Sequence, residues 1–215
     1  EDFDVFFQQF FGLENDELLR FFADIAPSMT PGEDLLEYGG GPTVYQLLSF
    51  APTVGDIVFG DYLATNLDAV ARWIDARPGA HDWAPFARAA LRHEGLPADA
   101  TEIERRLDLV RRRIRTLCRV DALAETQPAV RSTGFAFVST NFVAESIANT
   151  PDDWRRALRA IAGNVRPGGH LAMTAHSHDP AAHANGPRPG PVAGRRTAPT
   201  ATRPWWLLPG LAAGI

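Results

Sequence analysis

The sequence contains no lysine: all 21 of its basic side chains are arginine. A phosphate-binding P-loop needs Gly-Lys-Ser/Thr, so that class of site is excluded. Cysteine occurs once, at Cys118, which rules out an internal disulfide and fits a reducing, cytoplasmic setting. That thiol is expected to serve as a small buried hydrophobe. No run approaches the roughly 18 apolar residues of a transmembrane helix. The chain opens at Glu1 with neither methionine nor a basic-then-apolar leader, so no secretory signal is expected and its first residues are expected to be missing. What is present, 45% hydrophobic residues in 215, suits one domain with a sizeable core. The net charge of −5 is unevenly spread: residues 1–175 hold 17 arginines and 25 acids, residues 176–215 four arginines and Asp179. An acidic body argues against nucleic acid as the main partner.

The stretch from Leu35 to Leu48 organises the rest. It reads as a short apolar strand ending in the acid Glu37, a turn of Gly39-Gly40-Gly41-Pro42, and a helix opened by Thr43. Glycines there let backbone come within contact distance of a ligand. A pyrophosphate fingerprint needs a third small residue where this chain has β-branched Val44, which disfavours a nicotinamide dehydrogenase. A Glu-x-Gly-x-Gly-Pro turn instead suits a ligand with a ribose and an amino-acid tail but no phosphate, as in S-adenosylmethionine. Asp61 ends a second apolar run, Ile57-Val58-Phe59, about twenty residues on, where a carboxylate can take both ribose hydroxyls.

These residues carry a resemblance. Glu37-Tyr38-Gly39-Gly40-Gly41-Pro42-Thr43-Val44-Tyr45-Gln46-Leu47-Leu48-Ser49, Asp61-Tyr62 with Asn66-Leu67, Trp73, and Pro78-Gly79-Ala80-His81-Asp82-Trp83 resemble the nicotinamide, phenylethanolamine and thioether/indolethylamine N-methyltransferase family. The likeness covers most of residues 1–175. It implies a Rossmann-like class I methyltransferase sheet with helices on both faces, an N-terminal helical cap, and S-adenosylmethionine as cofactor. By the same resemblance Gly39, Gly41 and Tyr45 hold the methionine end, Asp61 the ribose, Tyr62 and Asn66 flank it, Asp121 and Ala122 meet adenine, and Thr140 lies under the tail. Phe6, Phe10 and Asn141 are the expected substrate-binding residues. Phe6, Phe10 and Phe11 stand where the family has tyrosines, so they can wall off water but have no hydroxyl to orient a substrate. Asn141 replaces an apolar residue of some members, with consequences for acceptor choice. The expected partner is a small amine or pyridine-type acceptor, with neither nucleic acid nor membrane, and the expected state is a monomer.

The remaining elements follow from periodicity. Phe3 to Phe11 predicts a helix with one aromatic face, and Leu18, Leu19, Phe22 and Ile25 a second that Pro27 ends. Helices are expected over 63–76, from Trp83 to about Glu94, and over 101–115 with Ile103, Leu107, Val110 and Ile114 inward. The arginines of that last helix pair with Glu102, Glu104 and Asp108 at helical spacing, which favours a solvated face over an RNA-binding one. Strands are expected over 115–120 and 134–140, the second continuous and apolar as a central parallel strand should be. Glu145 and Ser146 are expected to follow Asn141 on the same rim. A helix from Pro151 should face Trp154, Leu158, Ile161 and Ala162 inward, and Pro167-Gly168-Gly169 should turn into a fifth strand. His81, Asp82 and His93 are too scattered for a metal site.

From His176 the character changes. Proline and glycine make up 12 of the last 40 residues, and no apolar period survives. The expected division is an incomplete methyltransferase domain over 1–175, its last strands missing, and a low-complexity tail over 176–215. The abrupt change and all-arginine usage read as out-of-frame translation of a GC-rich gene, against a disordered extension or a basic arm. Family-like continuation in another frame of the coding DNA is the expected sign. His176, His178, Asp179 and His183 sit in low-complexity surroundings that argue against a metal cluster. Trp205-Trp206-Leu207-Leu208 is far too short to span a membrane. Two functions stay open: methyl transfer to an amine, and a catalytically inactive remnant that at most binds the methyl donor.

Overall fold

The computed structural model describes residues 14–125 and 129–175. The aromatic segment with Phe6 and Phe10, and the tail from His176, lie outside the described residues.

Helix α1 (Glu14–Ile25) buries Leu19 and Phe22, and a 3-10 turn over Ala26–Ser28 containing Pro27 ends it. Strand β1 (Leu35–Tyr38) and strand β2 (Ile57–Asp61) are buried at every position, as parallel strands covered on both faces must be. Helix α2 (Ala64–Ile74), helix α3 (Ala84–His93) and helix α4 (Ala100–Arg113) lead to strand β3 (Ile114–Arg119). Asp99 caps α4 by accepting from the Thr101 and Glu102 amides. Strand β4 (Phe135–Asn141), the short helix α5 (Val143–Ile147), helix α6 (Pro151–Ala162) and strand β5 (Val165–Thr174) complete the described chain.

The five strands are all parallel, in the order β3-β2-β1-β4-β5. Strand order therefore reverses between β1 and β4, and in open α/β sheets the crevice at such a point, at the carboxyl ends of the strands, receives ligands. Side chains alternate across the sheet. Leu35, Ile57, Phe59 and Phe137 join a core built with α1, the 44–54 segment, α2, α3 and α4. Leu36, Tyr38, Val58 and Val138 join a second core with Ala144 of α5 and Ala157 and Ile161 of α6. Burying each large side chain stabilises by about 1.5–3 kcal/mol. The expected α/β sheet with helices on both faces is thus present. β3, at the edge of the sheet among the described residues, carries Arg115 and Arg119, and such charge discourages further strand pairing.

Four local expectations are corrected. Thr43 does not open an α-helix: its hydroxyl donates to Gly40 O (2.9 Å), Gln46 Nε2 donates to Gly40 O and Thr43 O (both 3.1 Å), and a 3-10 turn over Tyr45–Leu47 follows. Side chains that satisfy the turn's own carbonyls hold the backbone out of the α ladder. Arg106 is not solvated. It is buried, bonded to both oxygens of Glu94 (2.7 and 2.6 Å) and to Leu48 O (2.9 Å), so it fastens α4 to the end of α3 and to the loop after the glycines. Trp154 is 38% exposed, because α6 meets the sheet through Ala157 and Ile161 and Trp154 lies in the first turn, short of that contact. The turn before the fifth strand becomes a bulge inside it: Phe135 pairs with Val165 but Phe137 with His170, so Pro167-Gly168-Gly169 loops out. Among the described residues no helix is long and apolar enough to cross a membrane.

Candidate functional site

The glycine turn leaves β1 with Gly39 at φ +76° and Gly41 at φ +64°. A Cβ on Gly39 would stand 2.3 Å from Val143 Cγ2, so both backbone conformation and packing require glycine there. A Cβ on Gly41 would meet nothing within 4 Å, leaving its positive φ as the constraint. The turn is tied to β2 by Gly39 and Gly40 amides donating to Gly60 O (2.8 and 3.1 Å).

Asp61, at the end of β2 and 6% exposed, holds three elements together. Its Oδ2 accepts from the Gly41 amide (2.8 Å), and its Oδ1 from the Leu63 amide and Asn66 Nδ2 (both 2.9 Å). Asn66, which sequence spacing alone would leave on the surface, is thus fixed against Asp61 from the first turn of α2. Tyr62 is half exposed, with the Arg119 guanidinium 4.7 Å from its ring centre. Asp121 follows β3 and accepts from the Leu123 amide (2.9 Å), and buried Ala122 packs beside Val120. The Val120 amide donates to Asp61 O (3.1 Å), which places the β3 loop beside the β2 loop.

Tyr45 is buried in an aromatic cluster, stacked on Phe86 with centroids 5.6 Å apart and 6.2 Å from Trp83. Burial, and then the charge of Glu37, push its hydroxyl well above the ordinary tyrosine range. Thr140 is buried in β4 with no hydrogen-bond partner for Oγ1 among the described residues. Asn141 follows, its amide engaged on both sides, and Ser146 Oγ donates to the carbonyl of Phe142 on the next turn. Among the described residues no group of three or more His, Cys, Asp or Glu could hold a metal ion. His93 pairs with Asp16 (2.7 Å), and Asp82 Oδ1 accepts from the Ala84 amide at the start of α3 (2.9 Å).

The site also contains residues that sequence reasoning left unassigned. Glu37 is fully buried beneath the turn, its Oε1 accepting from Asn141 Nδ2 (3.1 Å) and Gln46 Nε2 (3.4 Å). Its Oε2 is buried and accepts no hydrogen bond among the described residues. Burial pushes the carboxyl up from the ordinary 4.5 to about 7, while the Ser139, Asn141 and Gln46 side chains pull it part of the way back. An acid inside an otherwise apolar strand was the available signal. A buried oxygen with unused acceptor capacity fits a ligand that brings a cation or a donor to the glycine turn.

A reversed strand order, a glycine turn after β1 and acids in β1 and β2 define the nucleotide-type class of doubly wound α/β sites. The sequence profile of the NNMT/PNMT/TEMT family matches residues 12–182, and the chain belongs to that family of S-adenosylmethionine-dependent methyltransferases. Indolethylamine N-methyltransferase of Mus musculus is 34% identical over 141 residues, 65% of this chain and 52% of that protein. Phenylethanolamine N-methyltransferase of Homo sapiens is 34% identical over 147 residues, 66% of this chain and 50% of that protein. The chain therefore spans about half the length of these relatives. A solved structure of a possible exported protein from Bordetella parapertussis matches with a TM-score of 0.50 at 16% identity, over 79% of this chain and 44% of that one. That likeness shows the fold alone, an open parallel α/β sheet with helices on both faces.

Proposed function

We propose that this chain binds S-adenosylmethionine at the carboxyl edge of β1, β2 and β4 and transfers its methyl group to the nitrogen of a small amine or pyridine-type acceptor. The observation that carries this reading is the Gly41–Asp61–Asn66 unit, which fixes a buried carboxylate against the glycine turn beside the point of strand reversal. Gly39, Gly41 and Tyr45 would hold the methionine end, with Thr140 beneath it. Asp61 retains acceptor capacity for ribose hydroxyls, with Tyr62 and Asn66 flanking, and Asp121 and Ala122 stand toward the adenine. The donor supplies a methyl already activated on a sulfonium, so the protein's part is to align both partners and exclude water. Phe6 and Phe10, with Asn141 on the rim, are assigned to the acceptor side. The acceptor nitrogen must be neutral to attack, so a carboxylate near it would assist.

This reading carries a monomeric, cytoplasmic protein whose partner is a small molecule, with residues 1–175 as its donor-binding domain. The alternative reading is donor binding without turnover. Calorimetric titration with S-adenosylhomocysteine separates these readings when followed by an amine and pyridine screen. Micromolar binding with turnover supports the first, and binding without turnover the second. No binding by folded protein rejects both.

A further inference from the structure

Glu37 is fully buried beside the glycine turn, and what fixes its orientation comes from the neighbouring strand β4. Asn141, the last residue of β4, donates from Nδ2 to Glu37 Oε1 (3.1 Å) and to Ser139 Oγ (3.3 Å). The other end of the same amide is held as well: Thr174 Oγ1, at the end of β5, donates to Asn141 Oδ1 (2.8 Å). The carboxylate settles which way the amide points: an ionised Glu37 only accepts, so the NH2 group must face it and the amide oxygen faces the Thr174 hydroxyl, which can donate. Thr174 grips the same corner a second time through its carbonyl, which accepts from the Phe142 amide (2.9 Å). Phe142 itself is left-handed at φ +59°, a conformation costly for a non-glycine residue and kept here by the bonds on its amide and carbonyl. Gln46 approaches Glu37 from the opposite side (3.4 Å), and both of these donors go to Oε1. Oε2 is left with no partner in a fully buried carboxylate.

We propose that Asn141 is a positioning residue of the methyl-donor site, oriented by Thr174, that fixes the Glu37 carboxylate so that Oε2 is presented to the cationic methionine end of the donor. This rests on the donor-binding reading above and refines the place of Asn141 on the rim: its amide serves the donor, and its position beside Phe142 borders the acceptor. The physical reason is that a buried carboxylate with one bonded and one bare oxygen stays charged only where donors meet the first and a cation can meet the second. The titratable group facing Glu37 is Tyr45, whose hydroxyl stays neutral throughout the working range, so it adds no competing charge. Removing the Asn141 amide withdraws a bond that favours the charged form, and Glu37 then holds its proton to higher pH.

The test is S-adenosylhomocysteine affinity of the full chain between pH 6 and 8, for wild type, Asn141→Leu, Thr174→Val, Thr174→Ser, Glu37→Gln, and Asn141→Leu combined with Glu37→Gln. Wild-type affinity is expected to rise as pH passes through about 7, where Glu37 becomes charged. Asn141→Leu should weaken binding about tenfold at pH 7 and move that rise upward by about one pH unit. Thr174→Val should do the same to a smaller extent, with Thr174→Ser restoring wild-type behaviour. Glu37→Gln should bind weakly with a flat profile, and adding Asn141→Leu to it should cost less than about twofold, because the residue acts through the carboxylate. Wild-type binding with an unmoved Asn141→Leu profile would overturn the proposal alone. So would equal weakening by Asn141→Leu in both backgrounds. Absence of binding by folded wild type would overturn the donor reading, and this proposal with it.

Discussion

At the scale of single residues, two carboxylates govern the site, and their environments set them apart. Asp61 is surrounded by donors: two backbone amides and an amide side chain already converge on it. Asp61→Ala would leave the Gly41 and Leu63 amides unpaired at about 1–3 kcal/mol each where buried, and would free the turn from β2. S-adenosylhomocysteine affinity is expected to fall by at least tenfold, and unchanged affinity in the titration would remove the ribose assignment. Glu37 is instead short of donors, and burial raises its pKa from 4.5 to about 7. The unfolded chain releases this proton near 4.5 while the folded chain keeps it until about 7, so stability falls as pH rises across that interval. At about 1.36 kcal/mol per pH unit the loss is on the order of 3 kcal/mol. Glu37→Gln should match wild type near pH 4.5 and exceed it by a comparable amount at pH 7.5 and above, read from urea denaturation in the absence of ligand.

At the scale of elements, the glycine turn and the buried ion pair fix how β1, α3 and α4 meet. Gly39→Ala meets both a positive φ and a Cβ 2.3 Å from Val143 Cγ2. The backbone term is about 1–2 kcal/mol and overpacking adds about 1–3 kcal/mol. Pairing it with Val143→Ala should recover the packing part and leave the backbone part, which a double-mutant cycle of denaturation midpoints reads directly. Arg106→Leu would leave Glu94 and the Leu48 carbonyl without their partner. Breaking a buried pair by removing one side costs about 3–5 kcal/mol, so a melting transition that moved by only a degree or two would show the pair to be solvated.

At the scale of the whole molecule, the site joins segments distant in sequence: Gly41 meets Asp61 from the next strand, and Glu37 meets Asn141 from across the strand reversal. A ligand bound there must stabilise the fold as a unit. S-adenosylhomocysteine at one hundred times its dissociation constant should add about 2.7 kcal/mol. For a chain of this size that is roughly 5–10 °C in melting temperature. A ligand-insensitive melt in a protein that calorimetry shows to bind would mean that the described sheet does not unfold as one unit with its site. On the rim opposite the proposed site Arg166 binds both oxygens of Glu33 (3.0 Å each) and Arg131 binds Asp34 (2.8 Å), joining segments at the amino ends of the strands with ion pairs.

The sequence by itself determined the strands and helices, because continuous apolar runs and helical spacing are local records of burial on two faces or one. It also determined the glycine turn and Asp61, since a turn that needs positive φ and an acid at a strand end leave residue-level marks. Folding decided the rest through contacts no local pattern encodes. Thr43 and Gln46 fold back on the turn and cancel a helix, while Arg106 leaves an arginine-rich face to bury itself against Glu94. Asn141 reaches Glu37 through a strand pairing of residues about a hundred positions apart in the chain. Whether a polar side chain is solvated, structural or poised for a ligand depends on the partners that the sheet brings within about 3 Å of it. Only the tertiary structure supplies those partners.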